Sequence, residues 1–361
     1  MTQRERQILT WIQEDPMISQ EALAQRAGIT RSCVAAHISN LTKKGYIAGK
    51  GYVLRDGNYA VVVGGINIDI GGKAYAPLVE RDSNPGQVHM SLGGVGRNIA
   101  HNMSLLGLEV RMLTALGDDF HAQKIKNSCN DLGIDLSYAL HVPNGTTSTY
   151  VYLSGPDGDM ALAVSDMQIC EQITPAYLAS RLNLLNNAKL VVADANLPPQ
   201  SLHYLAESCT APLFVDPVST HKAEKLRPIL SGIHTLKPNR LEAELLTGIR
   251  ITDRDTLEQA TKCLLDSGIR RVFLSLGNDG VYAAEGEERH LVPCCPAEMR
   301  NATGAGDAFM AGLTWAWMEG LSLRETAQAG AAAGAIAIEA EETINSNLNV
   351  TALRERMGQI L

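Results

Sequence analysis

The sequence predicts an α/β protein with a mostly parallel, doubly wound sheet, preceded by a small basic helical module. Short apolar runs begin near residues 59, 190, 213 and 272, and polar residues follow each of them directly. Helical stretches separate these runs, as in βαβ units whose strands are buried on both faces. Charge also divides the chain, because residues 1–55 hold eight basic and four acidic residues while the whole chain has net charge −8. We therefore expect a basic module at residues 1–56 and an acidic α/β domain at residues 57–361.

Composition argues against several classes of protein. The chain has 361 residues, of which 45% are hydrophobic, enough to build more than one domain core. No apolar run approaches the roughly 18 residues that a membrane span needs, and the N-terminus lacks the apolar core of a signal peptide. The seven cysteines form no CxxC pair, which argues against a disulfide framework or a structural metal site. These features predict a cytoplasmic protein without membrane association.

The basic module has the pattern of a winged helix-turn-helix. Three short helices are predicted, the second and third capped by Ser19 and Thr30, and a basic hairpin follows at residues 49–54. The segment resembles the winged-helix modules of bacterial transcription regulators, in which one helix enters the major groove. The alternative is a helical module used for dimerisation or packing. The candidate DNA-contacting residues are Arg31, Ser32, Lys43, Lys44 and Lys50.

In the large domain, the polar residues after the first strand are placed to hold a substrate. Asn67 and Asp69 follow the strand that begins at Tyr59, and ligands of open α/β sheets gather at the carboxyl ends of strands. Residues 71–92 and 146–166 alternate apolar and polar side chains. We expect these two segments to form a small antiparallel sheet that acts as a lid and excludes water from the reaction.

Two glycine-rich segments begin helices. Around Gly304, Ala305 and Gly306, several amide N–H groups can point at one anion, and the helix dipole adds positive charge at the same place. A carboxylate there repels an anion, so Asp307 is best explained as a base that takes a proton from a substrate hydroxyl. The other interpretation is a helix start capped by Asp307. A second segment contains Gly93, Gly94 and Asn98, where the glycines let sugar hydroxyls approach the backbone closely.

Two further segments suggest a nucleotide side of the site. Asn239 and Glu242 lie three residues apart on one helix face and could hold a hydrated Mg²⁺ through waters, although a capping box explains the same spacing. Ser275, Gly277 and Gly280 stand in a strand–loop–strand segment, which a common hairpin would also explain. No GxxxxGK[ST] sequence occurs, so any ATP chemistry here is not of the P-loop kind.

Residues 59–345 resemble the ribokinase, or PfkB-type, carbohydrate kinase family. The two signatures of that family match residues 93–98 and 301–307, and the other polar segments stand in the expected order around them. Segments 82–86 and 235–244 are similar to those of pseudouridine kinases in particular. The resemblance implies a ribokinase-like fold, ATP with Mg²⁺, and phosphorylation of the 5′-hydroxyl of a ribonucleoside such as pseudouridine.

The same resemblance assigns roles to individual residues. It places Asn67, Asp69, Gly93, Gly94 and Asn98 at the sugar, Asp307 as the base, and Asn239 with Glu242 at the Mg²⁺–phosphate group. Ser275, Gly277 and Gly280 match the nucleotide-side loop. A uracil edge needs mixed donors and acceptors, for which the candidates are Asn84, Ser148, Asp166 and Asn196.

Departures from the family pattern leave some properties open. Asn301 stands where many members carry Asp at a position tied to a monovalent cation, which leaves activation by K⁺ open. Other substrates, such as inosine, cytidine or ribose, remain alternatives, as does a ligand-sensing transcription regulator with a kinase-like body. Lids of this kind often pair across a two-fold axis, so a homodimer is expected.

Overall fold

The computed structural model describes residues 1–15, 18–47 and 57–360. By its internal contacts the chain divides into two compact units, residues 1–58 and residues 59–361. In the part of the chain that is described, no helix has the length and apolar character needed to cross a membrane.

The first unit contains three helices, α1 (Gln3–Glu14), α2 (Gln20–Ala27) and α3 (Arg31–Lys43). The predicted caps are present, because Ser19 Oγ accepts a hydrogen bond from the Ala22 amide and Thr30 Oγ1 accepts one from the Cys33 amide. Apolar side chains from all three helices form a small core. The three predicted helices are therefore confirmed, whereas the hairpin at residues 49–54, with Lys50, lies outside the described residues.

The second unit alternates strands and helices along the chain. Its strands and helices, in chain order, are β1 (Ala60–Val63), β2 (Asn67–Ala74), β3 (Gly86–Gly93), α4 (Val95–Leu105), β4 (Val110–Leu113), β5 (Ala115–Leu116), α5 (Phe120–Asp131), β6 (Leu140–His141), β7 (Thr149–Ser154), β8 (Met160–Asp166), α6 (Pro175–Ser180), α7 (Leu182–Asn186), β9 (Leu190–Asp194), α8 (Pro199–Ser208), β10 (Leu213–Asp216), α9 (Thr220–Ala223), β11 (Thr235–Leu236), α10 (Arg240–Thr247), α11 (Arg254–Asp266), β12 (Arg271–Ser275), β13 (Val281–Glu285), β14 (Glu288–Val292), α12 (Ala305–Met318), α13 (Leu323–Ile338) and α14 (Val350–Met357). Short 3₁₀ helices span Gln168–Gln172, Glu224–Gly232 and Gly277–Asp279.

The main sheet has eight strands in the order β14-β13-β12-β11-β10-β9-β1-β4. Strands β4, β1, β9, β10, β11 and β12 are parallel, and β13 and β14 add two antiparallel strands at one edge. Helices cover both faces. In β1, Val62 packs into the core formed with α4, α12 and α13, while Val61 and Val63 pack into the core on the other face. The predicted α/β class and mostly parallel sheet are confirmed.

The lid is a separate sheet of four strands in the order β3-β2-β7-β8. Its two hairpins are antiparallel, but β2 and β7 pair in parallel, so the lid is mixed and the prediction of a wholly antiparallel sheet was wrong. The reason is topological: both strands run outward from the same end of the main sheet. The lid also begins earlier than predicted, because β2 starts at Asn67 and already includes Asp69.

Candidate active site

Asp307 lies in the first turn of α12, directly after a turn of backbone that only glycine suits. Gly304 precedes the helix with a φ of 83°, and a Cβ at that position would lie 2.3 Å from the Thr343 carbonyl oxygen. Among the described residues, the amides of Gly304, Gly306 and Asp307 donate to no backbone carbonyl, whereas the Ala305 amide makes a long hydrogen bond of 3.4 Å to the Ala302 carbonyl oxygen. The turn therefore has the geometry of an anion site with a half-buried carboxylate beside it.

The surroundings of Asp307 favour its protonated form. Asn98 Nδ2 donates a hydrogen bond of 2.9 Å to Asp307 Oδ2. Burial, and after it the nearby Asp216, raise the pKa of Asp307, while Asn98 and Lys237 lower it, and the net value is about 8. Burial is the larger effect. The carboxyl can therefore exchange a proton near neutral pH, as a general base must.

A buried lysine that sequence reasoning did not single out lies beside the anion site. Lys237 follows β11, is 6% exposed, and its Nζ lies 3.2 Å from Asp216 Oδ2. Burial alone would lower the pKa of Lys237, but the surrounding carboxylates, led by Asp216, raise it, so the ammonium stays charged. Its Nζ lies 3.3 Å from the point that a Cβ on Gly306 would occupy. A fixed positive charge thus faces the anion site.

The sugar-side residues form one compact group at the base of the lid. Asn67 Nδ2 donates to Asp69 Oδ1 at 2.5 Å, and burial raises the pKa of Asp69. A Cβ on Gly93 would lie 2.1 Å from Asp69 Oδ2, so only glycine fits there. Gly94, with a φ of 98°, lies against the Gly65 carbonyl and the Asn67 side chain. The structure therefore brings together the predicted sugar-side residues.

A buried carboxylate at the polar exit of another predicted strand supports this group. Asp194, at the end of β9, accepts hydrogen bonds from the backbone amides of Gly65 (2.9 Å) and Asn196 (2.8 Å). Burial raises the pKa of Asp194 to about 6. A Cβ on Gly64 would lie 2.3 Å from Asp194 Oδ2. The carboxyl therefore fixes the backbone at the exits of β1 and β9.

A cavity of about 300 Å³ lies on the other side of the anion site. Lys237 and Gly306 line its inner end, while Gly334 and Ile338 of α13 supply an apolar wall. The predicted nucleotide-side residues Ser275, Gly277 and Gly280 all line this cavity. It has one charged end and apolar walls, which suits a molecule with an anionic tail and a flat apolar part.

Asn239 and Glu242 adopt the capping-box arrangement that was the alternative to a Mg²⁺ site. The Glu242 amide donates to Asn239 Oδ1 at 2.9 Å, and the Asn239 amide donates to Glu242 Oε2 at 2.8 Å. Neither residue is among those that line the cavity. Among the described residues, no group of three or more His, Cys, Asp or Glu side chains could by itself hold a metal ion.

The four predicted base-contacting residues are not brought to one place. Asn196 lies beside Gly65, and Asp166 ends β8 at the inner end of the lid. Ser148 is buried, with its Oγ 3.8 Å from the Cys170 sulfur. Asn84 lies at the outer end of the lid, about 20 Å along the strands from Asn67. Its amide binds the backbone of Val79 and Asp82 and so serves its own loop.

The lid face that carries Asp69 also holds an aromatic pair that sequence reasoning missed. His89 Nε2 and the Tyr152 hydroxyl are 2.8 Å apart, and both rings lie over Gly71, where a Cβ would meet them at 2.3–2.6 Å. The strand register puts these side chains and Asp69 on the same face. The alternation of side chains in β3 and β7 was the signal that could have found them.

The candidate DNA-contacting residues of the first unit differ in how far their charges are neutralised. Lys44 Nζ donates to both carboxylate oxygens of the buried Glu5, at 2.8 and 2.9 Å, and lowers the pKa of Glu5 to about 2. Arg31 pairs with Glu21 at 3.1 Å. Ser32 and Lys43 are exposed on α3. Lys44 thus has a structural partner that sequence patterns did not show.

The two units of the chain match two different families of known proteins. Residues 58–350 match the pfkB family of carbohydrate kinases, and residues 1–48 match a winged helix-turn-helix DNA-binding domain. The chain is 40% identical over 340 residues to the uncharacterized sugar kinase YeiI of Escherichia coli, covering 93% of each chain. It is 39% identical over 300 residues to the pseudouridine kinase of the same organism, covering 82% of this chain and 96% of the relative.

A solved structure supports the fold. Arabidopsis thaliana ribokinase, complexed with ribose and ATP, superimposes with a TM-score of 0.75 at 24% identity, covering 83% of this chain and 98% of that one. The family match over residues 58–350 confirms the predicted resemblance to the ribokinase and PfkB-type kinases. The chain belongs to the pfkB family of carbohydrate kinases, phosphotransferases that act on a sugar or nucleoside hydroxyl, and carries a winged helix-turn-helix at its N-terminus.

Proposed function

We propose that this kinase transfers the γ-phosphoryl group of ATP to the 5′-hydroxyl of a ribonucleoside, with pseudouridine as the leading candidate. The observation that carries the proposal is the position of Asp307. It lies between the sugar-side group of Asn67 and Asp69 and the cavity that Lys237 lines, and it shares its helix turn with an anion site. Similarity to a protein named pseudouridine kinase supports the choice of nucleoside.

In the proposed mechanism, Asp307 accepts the proton of the 5′-hydroxyl as the oxygen attacks the γ-phosphorus. A bond forms between O5′ and phosphorus, the bond from phosphorus to the bridging oxygen of ADP breaks, and ADP leaves. Asn98 holds the carboxylate in place, while the free amides of Gly304 and Gly306 and the Lys237 ammonium stabilise the negative charge on the transferred group.

Kinases of this family use ATP together with Mg²⁺, which neutralises charge on the phosphates. Glu242 is buried behind the cavity lining, and its capping box uses Oε2 while, within the described residues, no hydrogen bond reaches Oε1, so only an indirect contact to that ion through water is open to it. Asn239 orients this carboxylate through the same capping box. We propose that Glu242 supports Mg²⁺ in this indirect way.

The test is ATP consumption with Mg²⁺ across pseudouridine, uridine, inosine, cytidine and ribose, for the wild type and for Asp307→Asn. We expect turnover of pseudouridine and a loss of about 10²–10⁴ in kcat for the variant. Near-normal turnover by Asp307→Asn would overturn the mechanism. Preferred turnover of inosine, cytidine or ribose would keep the mechanism and replace the substrate.

A second candidate function is regulation of transcription. The match of residues 1–48 to a winged helix-turn-helix favours it. The residues proposed to contact DNA are Arg31, Ser32, Lys43 and Lys50. Lys44 is left out of this set because its ammonium is paired with Glu5. Nucleoside binding in the kinase unit would then change the affinity of the first unit for DNA. Gel-shift titrations at low salt, with and without nucleoside and ATP, test this; DNA affinity that is undetectable, or unchanged by ligand, excludes it.

A further inference from the structure

Arg97 is a buried arginine beside the candidate active site that the mechanism does not use. It lies in the first turn of α4, next to Asn98, and is 5% exposed. We propose that Arg97 is a positioning residue that acts through Asn98: its guanidinium holds the amide oxygen of Asn98, so that the amide nitrogen stays turned toward Asp307. The inference rests on the proposed function and concerns the orientation of the base at the same site.

The hydrogen-bond partners of the Arg97 guanidinium are neutral. Arg97 Nη1 donates to the Leu92 carbonyl oxygen at 3.3 Å and makes a long hydrogen bond of 3.5 Å to Asn98 Oδ1. Arg97 Nη2 donates to Ser128 Oγ on α5, also at 3.5 Å. In the part of the chain that the structure describes, no hydrogen bond reaches Arg97 Nε. Arginine is rarely buried without a charged partner, and burying a charge is costly. The burial of Arg97 therefore indicates a role beyond packing.

The backbone that carries Arg97 and Asn98 is fixed. The Arg97 amide donates to the Gly65 carbonyl oxygen at 3.2 Å, and the Asn98 amide donates to the Gly94 carbonyl oxygen at 2.8 Å. One turn along the helix, Asn102 Nδ2 donates to the Asn98 carbonyl oxygen at 3.0 Å. The two side chains therefore extend from a rigid first turn, and a half-turn of the Asn98 amide is the motion that would reverse its contacts.

The Asn98 amide lies between a group that only donates and a group that can donate or accept. A guanidinium has no acceptor, so it keeps the oxygen of Asn98 on its own side. An ionised Asp307 would also fix the amide, because it only accepts. However, the pKa of Asp307 is about 8, with burial as the largest cause. A protonated carboxyl can donate to the oxygen of a reversed amide. Below pH 8, therefore, Arg97 decides the orientation.

A reversed amide would change the proton affinity of the base. With its nitrogen toward Asp307, Asn98 stabilises the carboxylate, whereas with its oxygen toward Asp307 it would stabilise the protonated form. Loss of Arg97 should therefore raise the pKa of Asp307, by about one pH unit for one hydrogen bond. The charge of Arg97 is a minor influence, because the main effects on the pKa of Asp307 come from burial, Asp216, Asn98, Lys237 and Asp194.

Three titratable groups interact electrostatically with Arg97. His101 lies on α4, where burial and then Arg97 lower its pKa to about 4, and Cys129 lies on α5, where burial raises its pKa to about 11. Neither changes its charge between pH 6 and 9. Asp69 lies on β2, where burial raises its pKa and the Asn67 hydrogen bond and Arg97 oppose that rise. Because loss of Arg97 also affects Asp69, the test needs a signal from Asp307 alone.

The experiment follows the titration of Asp307 by ¹³C NMR of protein labelled at the aspartate carboxyl carbons. The Asp307 signal is identified by its loss in Asp307→Asn. Arg97→Met should move the midpoint up by about one pH unit. In an Asn98→Leu background it should cause no further shift, because the amide through which Arg97 acts is gone. Arg111→Met, which removes a half-buried arginine from β4, is the control and should leave the midpoint unchanged.

Arg97→Ser replaces Arg97→Met if the latter does not fold. Serine at this position leaves room for water, and water does not fix the Asn98 amide because it both donates and accepts. The same shift of the midpoint is therefore expected for both variants.

The outcomes separate this inference from the proposed function. If no nucleoside is phosphorylated but loss of Arg97 raises the Asp307 midpoint only when Asn98 is present, the proposed function fails and the inference stands. If nucleosides are phosphorylated and the midpoint is the same with and without Arg97, the inference is wrong. An equal shift in the Asn98→Leu background also overturns it, because Arg97 would then act by its charge and not through the amide.

Discussion

Asn98 Nδ2 donates a hydrogen bond of 2.9 Å to Asp307 Oδ2, which links α4 to α12 across the candidate active site. A donor on a carboxylate stabilises its charged form and so opposes the effect of burial on the pKa of Asp307. The carboxylate is also fixed in direction, with Oδ1 left for a substrate hydroxyl. The contact therefore sets both where the base points and the pH at which it is active.

The first prediction concerns the pH dependence of activity. Because the pKa of Asp307 is raised to about 8, kcat/KM should rise with pH and level off above that value. Asn98→Leu removes the donor, so the midpoint should move to higher pH, while Asn130→Leu, at an exposed position of α5, should not move it. Initial rates between pH 6 and 10 test this; identical profiles for the wild type and Asn98→Leu would contradict it.

The second prediction concerns stability. The pKa of Asp307 is about 8 in the folded chain, against an ordinary value of 3.8. Between these two pH values the carboxyl of Asp307 is protonated in the folded chain but ionised in the unfolded chain. The contribution of this residue to the free energy of unfolding therefore falls as pH rises from about 4 to 8. At pH 9 the melting temperature of Asp307→Asn should therefore be about 3 °C or more above that of the wild type. At pH 4 the two proteins should melt at similar temperatures. Exposed Asp266→Asn serves as control, and an equal difference at both pH values would refute the argument.

The sequence could predict those parts of the candidate site whose functional residues are adjacent in the chain. Asp307 and its anion site could be predicted because base and glycines are contiguous, and Gly93 because it precedes a helix. Lys237 could not, since only the fold brings the ammonium of a residue after β11 beside Gly306 in the first turn of α12. The spacing of Asn239 and Glu242 suited two roles, and the hydrogen bonds show a capping box.

Two other residues show a different limit. Asn84 has the donors and acceptors that a base edge needs, but strand length places it at the outer end of the lid, where its own loop uses them. Because Lys44 lies in a basic segment, the sequence predicts that it contacts a DNA phosphate. In the structure its ammonium instead pairs with the buried Glu5. Residue type indicates what a side chain can bind, whereas its partners in the fold decide what it does bind.

The third prediction tests the sugar-side group through Gly93. A Cβ at this position would lie 2.1 Å from Asp69 Oδ2, so Gly93→Ala must displace that carboxylate. We expect KM for the nucleoside to rise about tenfold or more, since Asp69 is proposed to hold the ribose. Gly358→Ala, where the nearest atom would lie at 3.4 Å, is the control. Unchanged KM in a folded Gly93→Ala variant would remove Asp69 from the sugar site.

The fourth prediction concerns monovalent cations. Asn301 Nδ2 donates to the Glu341 carbonyl at 2.9 Å, and Asn301 Oδ1 accepts from the Thr303 amide. The amide N–H of the Asn301 side chain thus uses the Glu341 carbonyl oxygen, which could otherwise coordinate a monovalent cation. We therefore expect less than about a twofold change in kcat when K⁺ replaces tetramethylammonium at equal ionic strength, and dependence on K⁺ in Asn301→Asp. Strong activation of the wild type by K⁺ would show that the amide does not replace the ion.

The last prediction is that the kinase forms a homodimer through its lid. One face of the lid carries exposed apolar side chains in two rows across the strands, formed by Val88, Met90, Val151, Leu153, Leu162 and Val164. Monomers rarely expose so continuous an apolar face, and a second copy of the same face would cover it. Light scattering after gel filtration should give a dimer for the wild type, a monomer for Leu162→Lys, and a dimer for Leu241→Lys, which alters an exposed leucine on α10. A monomeric wild type at micromolar concentration, or a dimer that survives Leu162→Lys, would show that this face is not the interface.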